Sequence, residues 1–464
     1  MLYPAIHWLN DDILLDIFNC YRLDNERFWN DRLLWRKLSQ VCQRWRHLIY
    51  ECALHLGVHI ECTNGSPIMD RLDLLPPLPL FVRYHDRTIL GTTARLTEQK
   101  ELGIYHALRL HGRLCHIDLV LPPSILHKVV VLMDEHFPIL EHLSLRFTVT
   151  NESYLPITLP KAFLATNLRH LTLPSISPPR RLQLLTSTAS LVTLELSHIQ
   201  TSSYFRPRLL AARLRCLLQL DKLSIRFSTP LPLPGTEDEL LGEQGALVTL
   251  PSLKYLQFDG VGAYLESLLA QIMAPLLNRL DVTLLNQITF PLPHLYHLIN
   301  ATEALKLPNA VVKFDPNAVE VFTVRYRSCC GQLRFRVICK PLDWQIDCTA
   351  QISHALIPAL SRVETLMLYY ESQEITTELR NDAINGATWH LAWRNLLRSY
   401  VGLKTLRISD DILEELSRTL QADEVESDPG FLPNLRFISA RHNRFTAFIN
   451  TRRVVGRPVQ FKRW

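Results

Sequence analysis

The sequence lacks the residue patterns that several classes of enzyme require. It contains 15 glycines in 464 residues, and no G-x-x-x-x-G-K-[ST], G-x-G-x-x-G, G-x-S-x-G or H-E-x-x-H motif occurs. These absences exclude the common phosphate-binding loops, the nucleophile elbow and the zincin site. No apolar run reaches the roughly 18 residues that cross a bilayer. We therefore expect a protein without catalytic activity and without a membrane span.

Charge and cysteine content narrow the choice of partner and compartment. Lys and Arg exceed Asp and Glu by only 50 to 45, and a net charge of +5 is too weak to indicate nucleic acid or a membrane surface. The ten cysteines include no C-x-x-C pair, and the N-terminus has no basic segment followed by an apolar one. We expect a cytoplasmic or nuclear protein that needs no cofactor or metal, and nothing implies a homo-oligomer.

The first fifty residues contain two apolar helical patterns. Asn10 can cap a helix that begins at Asp11, and an apolar stripe follows at Ile13, Leu14, Ile17 and Phe18. A second pattern predicts one helix with a single apolar face formed by Leu34, Leu38, Val41, Trp45 and Leu48. A unit of this size buries little surface alone, so we expect it to dock on a partner or to pack against the rest of the chain.

These patterns resemble an F-box, the module that joins substrate receptors to Skp–cullin–F-box ubiquitin ligases. The similar runs are Leu-x-Asp-Asp-Ile-Leu-x-x-Ile-Phe at 9–18 and Leu-x-x-Val-Cys-x-x-Trp-Arg-x-Leu-Ile at 38–49. The chain departs from the family at Asn10, where a proline is usual, and in the longer segment 20–33. The resemblance implies that a Skp-type adaptor, and through it a cullin, binds here. The residues that it assigns to the adaptor are Leu9, Ile13, Leu14, Ile17, Phe18, Leu38, Val41 and Trp45. Residues 60–67 and 74–84 resemble F-box proteins of mushroom-type (basidiomycete) fungi, which commonly carry irregular leucine-rich repeats.

From about residue 114 a short phrase recurs: an apolar residue, two variable ones, an apolar residue, a variable one and an apolar residue. The phrase begins at Leu140, Leu168, Leu191, Leu220, Leu253, Leu277, Val363, Leu403 and Leu435, with further candidates at Leu114 and Val319. The first six are 23 to 33 residues apart, close to the spacing of leucine-rich repeats. The predicted fold is α/β: a small helical N-terminal F-box-like module, then an irregular leucine-rich-repeat solenoid with a curved parallel sheet and helices on its convex side. An ordinary α/β domain with leucine-rich strands is the alternative.

The variable residues of each phrase are predicted to line the concave face and to hold a target protein. Charges of both signs together with tyrosines suit a protein partner better than a polyanion. The candidates are His142, Arg146, His170, Glu195, Lys222, Arg226, Tyr255, Asp259, Arg279, Asp281, Tyr369 and Arg407. A solvated face without a dedicated ligand is the alternative.

Four segments are expected along the chain. They are an F-box-like domain over 1–55, a proline-rich connector and solenoid edge over 56–105, the repeats over 106–440, and a basic and aromatic cap or tail over 441–464. Alternation over 322–327, 333–339 and 344–348 predicts hairpin strands, spacing over 388–400 predicts a helix, and 421–430 reads as an acidic loop.

Two other clusters are candidates for a functional site, one for metal binding and one for RNA binding. His106, His111, Cys115 and His116 match no zinc spacing. Arginines and aromatics after Arg441 favour a cap on the last repeat over an RNA-binding tail. The sequence therefore favours a non-enzymatic ligase receptor, with a non-ligase interaction scaffold as the main alternative.

Overall fold

The computed structural model describes residues 8–25, 34–63, 77–85, 88–89, 92–93, 98–148, 157–174, 176–177, 185, 188–199, 205–228, 246–285, 291–324, 332–339, 342–371, 386–421 and 431–463. The chain forms two compact units, Met1–Leu191 and Val192–Trp464. Part of the predicted acidic loop, 422–430, lies outside the described residues. None of the helices described is both long and apolar enough to cross a membrane.

The first unit begins with three helices: α1 (Asp11–Asn25), α2 (Leu34–Ser39) and α3 (Gln43–Glu51). The predicted cap is present, because the Ile13 backbone N–H donates to Asn10 Oδ1 at 2.9 Å. Asp11 and Asp12 lie in the first turn of α1, where the helix dipole favours negative charge.

The prediction of one continuous helix over residues 34–48 is wrong. The chain turns between α2 and α3, and Cys42 has extended backbone angles, with φ −158° and ψ 171°. The Arg46 guanidinium donates to the Ser39 carbonyl at 3.0 Å. That carbonyl is the one that the Gln43 N–H would need in an unbroken helix. Val41 consequently lies in the turn and is exposed, away from a shared helical face.

The first unit continues as a parallel sheet whose strands follow one another in chain order. Its strands are β1 (Ile60–Thr63), β2 (Leu80–His85), β3 (Leu114–Leu121), β4 (His142–Phe147) and β5 (His170–Pro174). Helices α4 (Glu98–Arg109) and α5 (Pro123–Leu132) occupy crossovers between strands, and α5 begins with proline at its first position. Sheet pairing already starts at Ile60, within the segment 56–105 that was expected to hold the connector and the N-terminal edge of the solenoid.

The second unit repeats this plan at greater length. Its strands are β6 (Thr193–Ile199), β7 (Lys222–Phe227), β8 (Tyr255–Gly260), β9 (Arg279–Leu285), β10 (Asn309–Asp315), β11 (Ala318–Val324), β12 (Leu333–Ile338), β13 (Thr365–Tyr370), β14 (Thr405–Ile408), β15 (Phe437–Ala440) and β16 (Gln460–Arg463). Its helices are α6 (Pro207–Leu214), α7 (Gly262–Leu269), α8 (Pro293–Ala301), α9 (Leu342–Ala355), α10 (Ile357–Leu360), α11 (Gly386–Arg398), α12 (Leu413–Gln421) and α13 (Thr446–Val454). The helix predicted over 388–400 is confirmed as α11.

Strand order in the second unit departs from chain order at one place. β9 pairs with β12, β12 with β11, β11 with β10, and β10 with β13. Of these four pairings, β12 with β11 and β11 with β10 are antiparallel, and the other two are parallel. The predicted hairpin strands at 322–327 and 333–339 are therefore confirmed where the chain is described. The strand predicted over 344–348 is wrong, because these residues lie in α9. Ile346, Cys348 and Ile352 are buried on that helix. Ile346 and Cys348 are two residues apart, so within 344–348 their spacing also fits an alternating strand.

The repeated phrases build the core. Their apolar residues are buried from Leu114 to Ala440, apart from the candidate at Val319. There, the antiparallel β11 buries Val319 and Val321 and leaves Phe322 partly accessible. On the helix side of the second sheet, Trp393 of α11 packs edge-on against Phe314 of β10, with ring centroids 5.6 Å apart. We call the opposite side, which carries the variable residues, the open face.

Candidate protein-interaction surfaces

An apolar stripe lies exposed on the N-terminal helices. Ile13, Ile17 and Tyr21 are spaced four residues apart on α1 and expose 45%, 42% and 42% of their surfaces. Side chains at this spacing share one helix face. We call these three residues the N-terminal stripe. Val41, in the turn after α2, is another exposed apolar residue of this segment.

The other predicted adaptor residues of α1 face inward. Leu14 and Phe18 are buried, and the Phe18 ring packs edge-on against Trp45 of α3 at 4.9 Å between centroids. Leu9, Leu38 and Trp45 are half-buried. The structure thus places Ile13, Ile17 and Val41 where a partner can reach them, while Leu14 and Phe18 hold the helices together.

An arginine fixes α1 against α3. Arg44 donates to Asp11 Oδ1 from Nη2 at 2.6 Å and to the Leu9 carbonyl at 2.6 Å. Its Nε donates to the same carboxylate oxygen at 3.0 Å. A planar guanidinium held at several points orients two elements better than a single contact does. The N-terminal stripe is therefore displayed on a helix of fixed orientation.

On the open face of the first unit, five rings stack across neighbouring strands. His59 lies 4.3 Å from Phe81, Phe81 3.6 Å from His116, His116 4.0 Å from His142, and His142 5.6 Å from His170, measured between ring centroids. The strand register explains the row, because Phe81, His116, His142 and His170 are successive cross-strand partners. We call these five residues the ring row.

Burial keeps three imidazoles of the ring row, those of His116, His142 and His170, uncharged. It lowers the pKa of His116 to about 3, with a further contribution from the adjacent His142, and it lowers the pKa of His142 to about 4. The pKa of His170 is also lowered, mainly by burial and then by Arg169. At neutral pH these three imidazoles, together with the Phe81 ring, form a strip of neutral rings.

Beside the ring row, Asp118 of β3 is contacted by basic side chains of the two neighbouring strands, β2 and β4. Arg146 donates to its Oδ1 at 2.9 Å, His85 lies 2.9 Å from its Oδ2, and Arg83 lies 3.9 Å from the same oxygen. Burial opposes the charged carboxylate, but the hydrogen bonds from Arg146 and His85 outweigh it and lower the pKa of Asp118 to about 2. Arg146, one of the predicted target-binding residues, is thus already engaged within the sheet.

The predicted target-binding residues of β6 to β9 also pair with one another. Lys222 forms an ion pair with Glu195, Arg226 lies 3.3 Å from Asp259, and Arg279 lies 2.9 Å from Asp281. The register places each acid on a strand next to its cation or on the same strand. This part of the open face is therefore balanced in charge.

Tyr255 lies between two cations at the centre of this network. Lys222 Nζ lies 5.3 Å and the Arg279 guanidinium 4.7 Å from its ring centroid, and its hydroxyl donates to Asp281 Oδ2 at 2.7 Å. Burial, and then this hydrogen bond, raise the pKa of Tyr255. Tyr369 and Arg407 lie further along the face, Tyr369 half-buried and Arg407 exposed.

The described residues do not assemble a metal centre. No group of three or more His, Cys, Asp or Glu side chains in the described ranges could hold a metal ion, and His116 of the cluster weighed above belongs to the ring row. In the turn before α12, Asp410 lies 3.3 Å from Arg441, and in the first turn of α12 Glu414 lies 2.5 Å from Arg418.

The sequence contained a signal for the ring row that phrase counting missed. His116, His142 and His170 occupy the same third position in three successive phrases, which begin at Leu114, Leu140 and Leu168. A fixed position in adjacent repeats becomes a cross-strand row in the folded sheet. Phe81 and His59 could not be found in this way, because no phrase was recognised before residue 114.

Over its described residues the protein has a mixed α/β fold, with mostly parallel strands that recur together with the apolar phrase. Comparison with solved structures finds similarity to the leucine-rich repeat-containing protein LegL7 from Legionella pneumophila, at 14% identity over 64% of this chain and 84% of that chain, with a TM-score of 0.25. No family model and no curated protein matches the sequence. At this TM-score the fold assignment depends on the phrases and strand pairing of the chain itself.

Proposed function

We propose that this protein is a substrate receptor of a Skp–cullin–F-box ubiquitin ligase. In this proposal residues 9–49 bind a Skp-type adaptor and through it a cullin, and the open face holds a target protein. Other enzymes of the assembly transfer ubiquitin, and the contribution of this chain is to hold the target protein close to them. We propose that the protein acts in the cytoplasm or nucleus, as its cysteine usage favours.

The exposed N-terminal stripe is the observation that carries this proposal. Three large apolar side chains in one row, next to a fixed and otherwise charged surface, are costly to leave in water and suit a partner. Their positions fall within the segment that resembles an F-box. Leu14, Phe18 and Ile49 are buried inside the helical segment, whereas the three residues of the stripe remain exposed to solvent.

Co-purification with a Skp-type adaptor tests the proposal. We expect full-length protein to retain the adaptor and the Ile13→Glu/Ile17→Glu variant to bind it at least about tenfold more weakly, because two charges would enter an apolar interface. The matched control is Leu102→Glu/Val131→Glu, which alters two exposed apolar residues outside the three N-terminal helices. Circular dichroism checks that each variant is folded.

Two outcomes would overturn the proposal. One is folded full-length protein that retains no adaptor; the other is equal retention by the stripe variant and the control variant. The competing role is a non-ligase scaffold in which the N-terminal helices only cap the repeats. That role predicts that removal of residues 1–50 unfolds the first unit, whereas the receptor role predicts that adaptor binding is lost.

A further inference from the structure

The open face of the second unit changes character towards its C-terminal strands. Upstream, its cations have acidic partners: Lys222, Arg226 and Arg279 as described, Arg334 with Glu320 at 2.6 Å, Arg336 with Asp315 at 3.2 Å, and Lys313 with Glu371. Such pairs leave little net charge for a partner to read.

On β14 to β16 this pairing stops. Arg407 and Lys462 lie in one cross-strand row, separated by Ser439 of β15, and both are exposed. Within the described residues, neither has a carboxylate within ion-pair distance. Arg436, which immediately precedes β15, is likewise exposed and has no acidic partner among those residues. Among the described residues, the open face of the last three strands therefore carries positive charge that no carboxylate pairs with, unlike the cations upstream.

We infer that the open face of β14–β16 binds a carboxylate-rich, extended segment of a partner protein. The inference rests on the proposed function in treating this partner as the target. Adjacent strands lie about 4.8 Å apart, so Arg407 and Lys462 are about 10 Å apart across β15. A peptide in the polyproline II conformation advances about 3.1 Å per residue and returns to the same face at every third residue, so carboxylates three residues apart match that separation.

A cleft beside this row adds a place for a third acidic side chain. It has a volume of about 370 Å³ and is lined by Arg436, Phe437, Arg457 and Gln460, among others. Gln460 lies on β16 two residues before Lys462, so the cleft adjoins the cationic row. An acidic segment that crosses the strands would reach both.

The same geometry disfavours RNA as the occupant. Two or three cations neutralise too few phosphates to retain RNA at physiological ionic strength. Phe437, the aromatic side chain that lines the cleft, is covered by Lys462 Nζ at 3.5 Å from its ring centroid and presents no free platform to a base. A short acidic peptide needs only these few charges.

Fluorescence anisotropy with full-length protein and defined probes tests the inference. The probe is a labelled nine-residue peptide with three glutamates separated by pairs of serines, and its controls are the glutamine version and a uridine oligonucleotide of equal length. We expect the glutamate peptide to bind at low salt and the glutamine peptide not to bind. Arg407→Glu/Lys462→Glu should weaken glutamate-peptide binding more than tenfold.

The matched control is Arg208→Glu/Arg215→Glu, which makes the same change in net charge at exposed positions on and just after α6. Equal weakening by both double variants would show a non-specific charge effect and overturn the inference. Absence of peptide binding, or tighter binding of the oligonucleotide that Arg407→Glu/Lys462→Glu abolishes, would also overturn it. Adaptor retention is measured on the same variants, so failure of the peptide site is distinguished from failure of the ligase proposal.

Discussion

Single residues secure junctions between elements that the sequence pattern leaves open. Glu266 of α7 is 4% exposed, and its carboxylate oxygens accept hydrogen bonds from the backbone N–H groups of His294 and Leu295 at 2.7 and 3.0 Å. These donors belong to the first turn of α8, whose N–H groups have no partner within the helix. A residue from the neighbouring helix thus acts as the cap of α8.

Loss of this cap is expected to destabilise the second unit. Glu266→Ala should lower the free energy of unfolding by about 1–3 kcal/mol, because it leaves a buried donor at Leu295 and a partly buried donor at His294 without an acceptor. Glu135→Ala, at an exposed position, should change it by less than about 0.5 kcal/mol. Urea unfolding followed by circular dichroism measures both, and an equal effect of the two variants would contradict the capping role.

Gly402 marks a tight approach in the turn before β14. A Cβ atom at this position would lie 2.6 Å from the Ser361 carbonyl oxygen, which belongs to the backbone and has little room to move. At Gly112 the same added atom would meet nothing within 4 Å.

A pair of alanine substitutions uses this contrast. We expect Gly402→Ala to lower the free energy of unfolding by about 1–3 kcal/mol through overpacking, and Gly112→Ala to have a much smaller effect. Thermal unfolding of the two variants and the unchanged protein measures the difference. Similar melting temperatures for the two variants would show that the backbone at Ser361 yields.

At the scale of elements, the ring row links the stability of the first sheet to pH. The folded pKa values of His116 and His142, about 3 and 4, lie below the ordinary value near 6.5 that applies to the unfolded chain. As the pH falls below about 6.5, these histidines therefore bind protons in the unfolded chain but not in the folded sheet, and the free energy of unfolding decreases. Asp118 does not offset this loss above about pH 4, because its pKa of about 2 keeps it charged.

Unfolding of the full-length protein in urea at pH 7 and pH 5 measures this linkage. We expect each of His116 and His142 to contribute about 1 kcal/mol to the loss, a value reduced for their partial contact with water. His116→Phe/His142→Phe should remove most of the difference between the two pH values. Phe81→Leu alters the row without removing an ionisable group, so it should retain the difference; if it does not, the effect comes from packing.

At the scale of the whole molecule, the recurring apolar phrase predicted most of the strands. It missed strands in which one of the three apolar positions is not a large apolar residue. Leu307, Ala310 and Val312 occupy the phrase positions leading into β10 and are buried, but a central alanine hides the pattern. The order of β9 to β13 could not be read from the sequence, because strand alternation does not specify which strand becomes a neighbour.

The candidate surfaces were predictable to different degrees. Periodicity placed Ile13 and Ile17 on one face of α1, but only the packing of Phe18 on Trp45 separates the exposed residues from the buried ones. The residues of the open face followed from their positions in the phrase. Their mutual ion pairs did not, since the pairing depends on the register between strands 23 or more residues apart in the sequence.

The reversed order of β9 to β13 has a consequence for how the second unit assembles. In a regular repeat array each unit contacts only its sequence neighbours, so the array can grow or fray one repeat at a time. Here β12 must be inserted beside β9, and β10 must be in place before β13 can pair. We therefore expect strands β9 to β13 to form or open as one cooperative block. Because their pairing joins residues far apart in the sequence, this block should form more slowly than the stepwise repeats on either side of it.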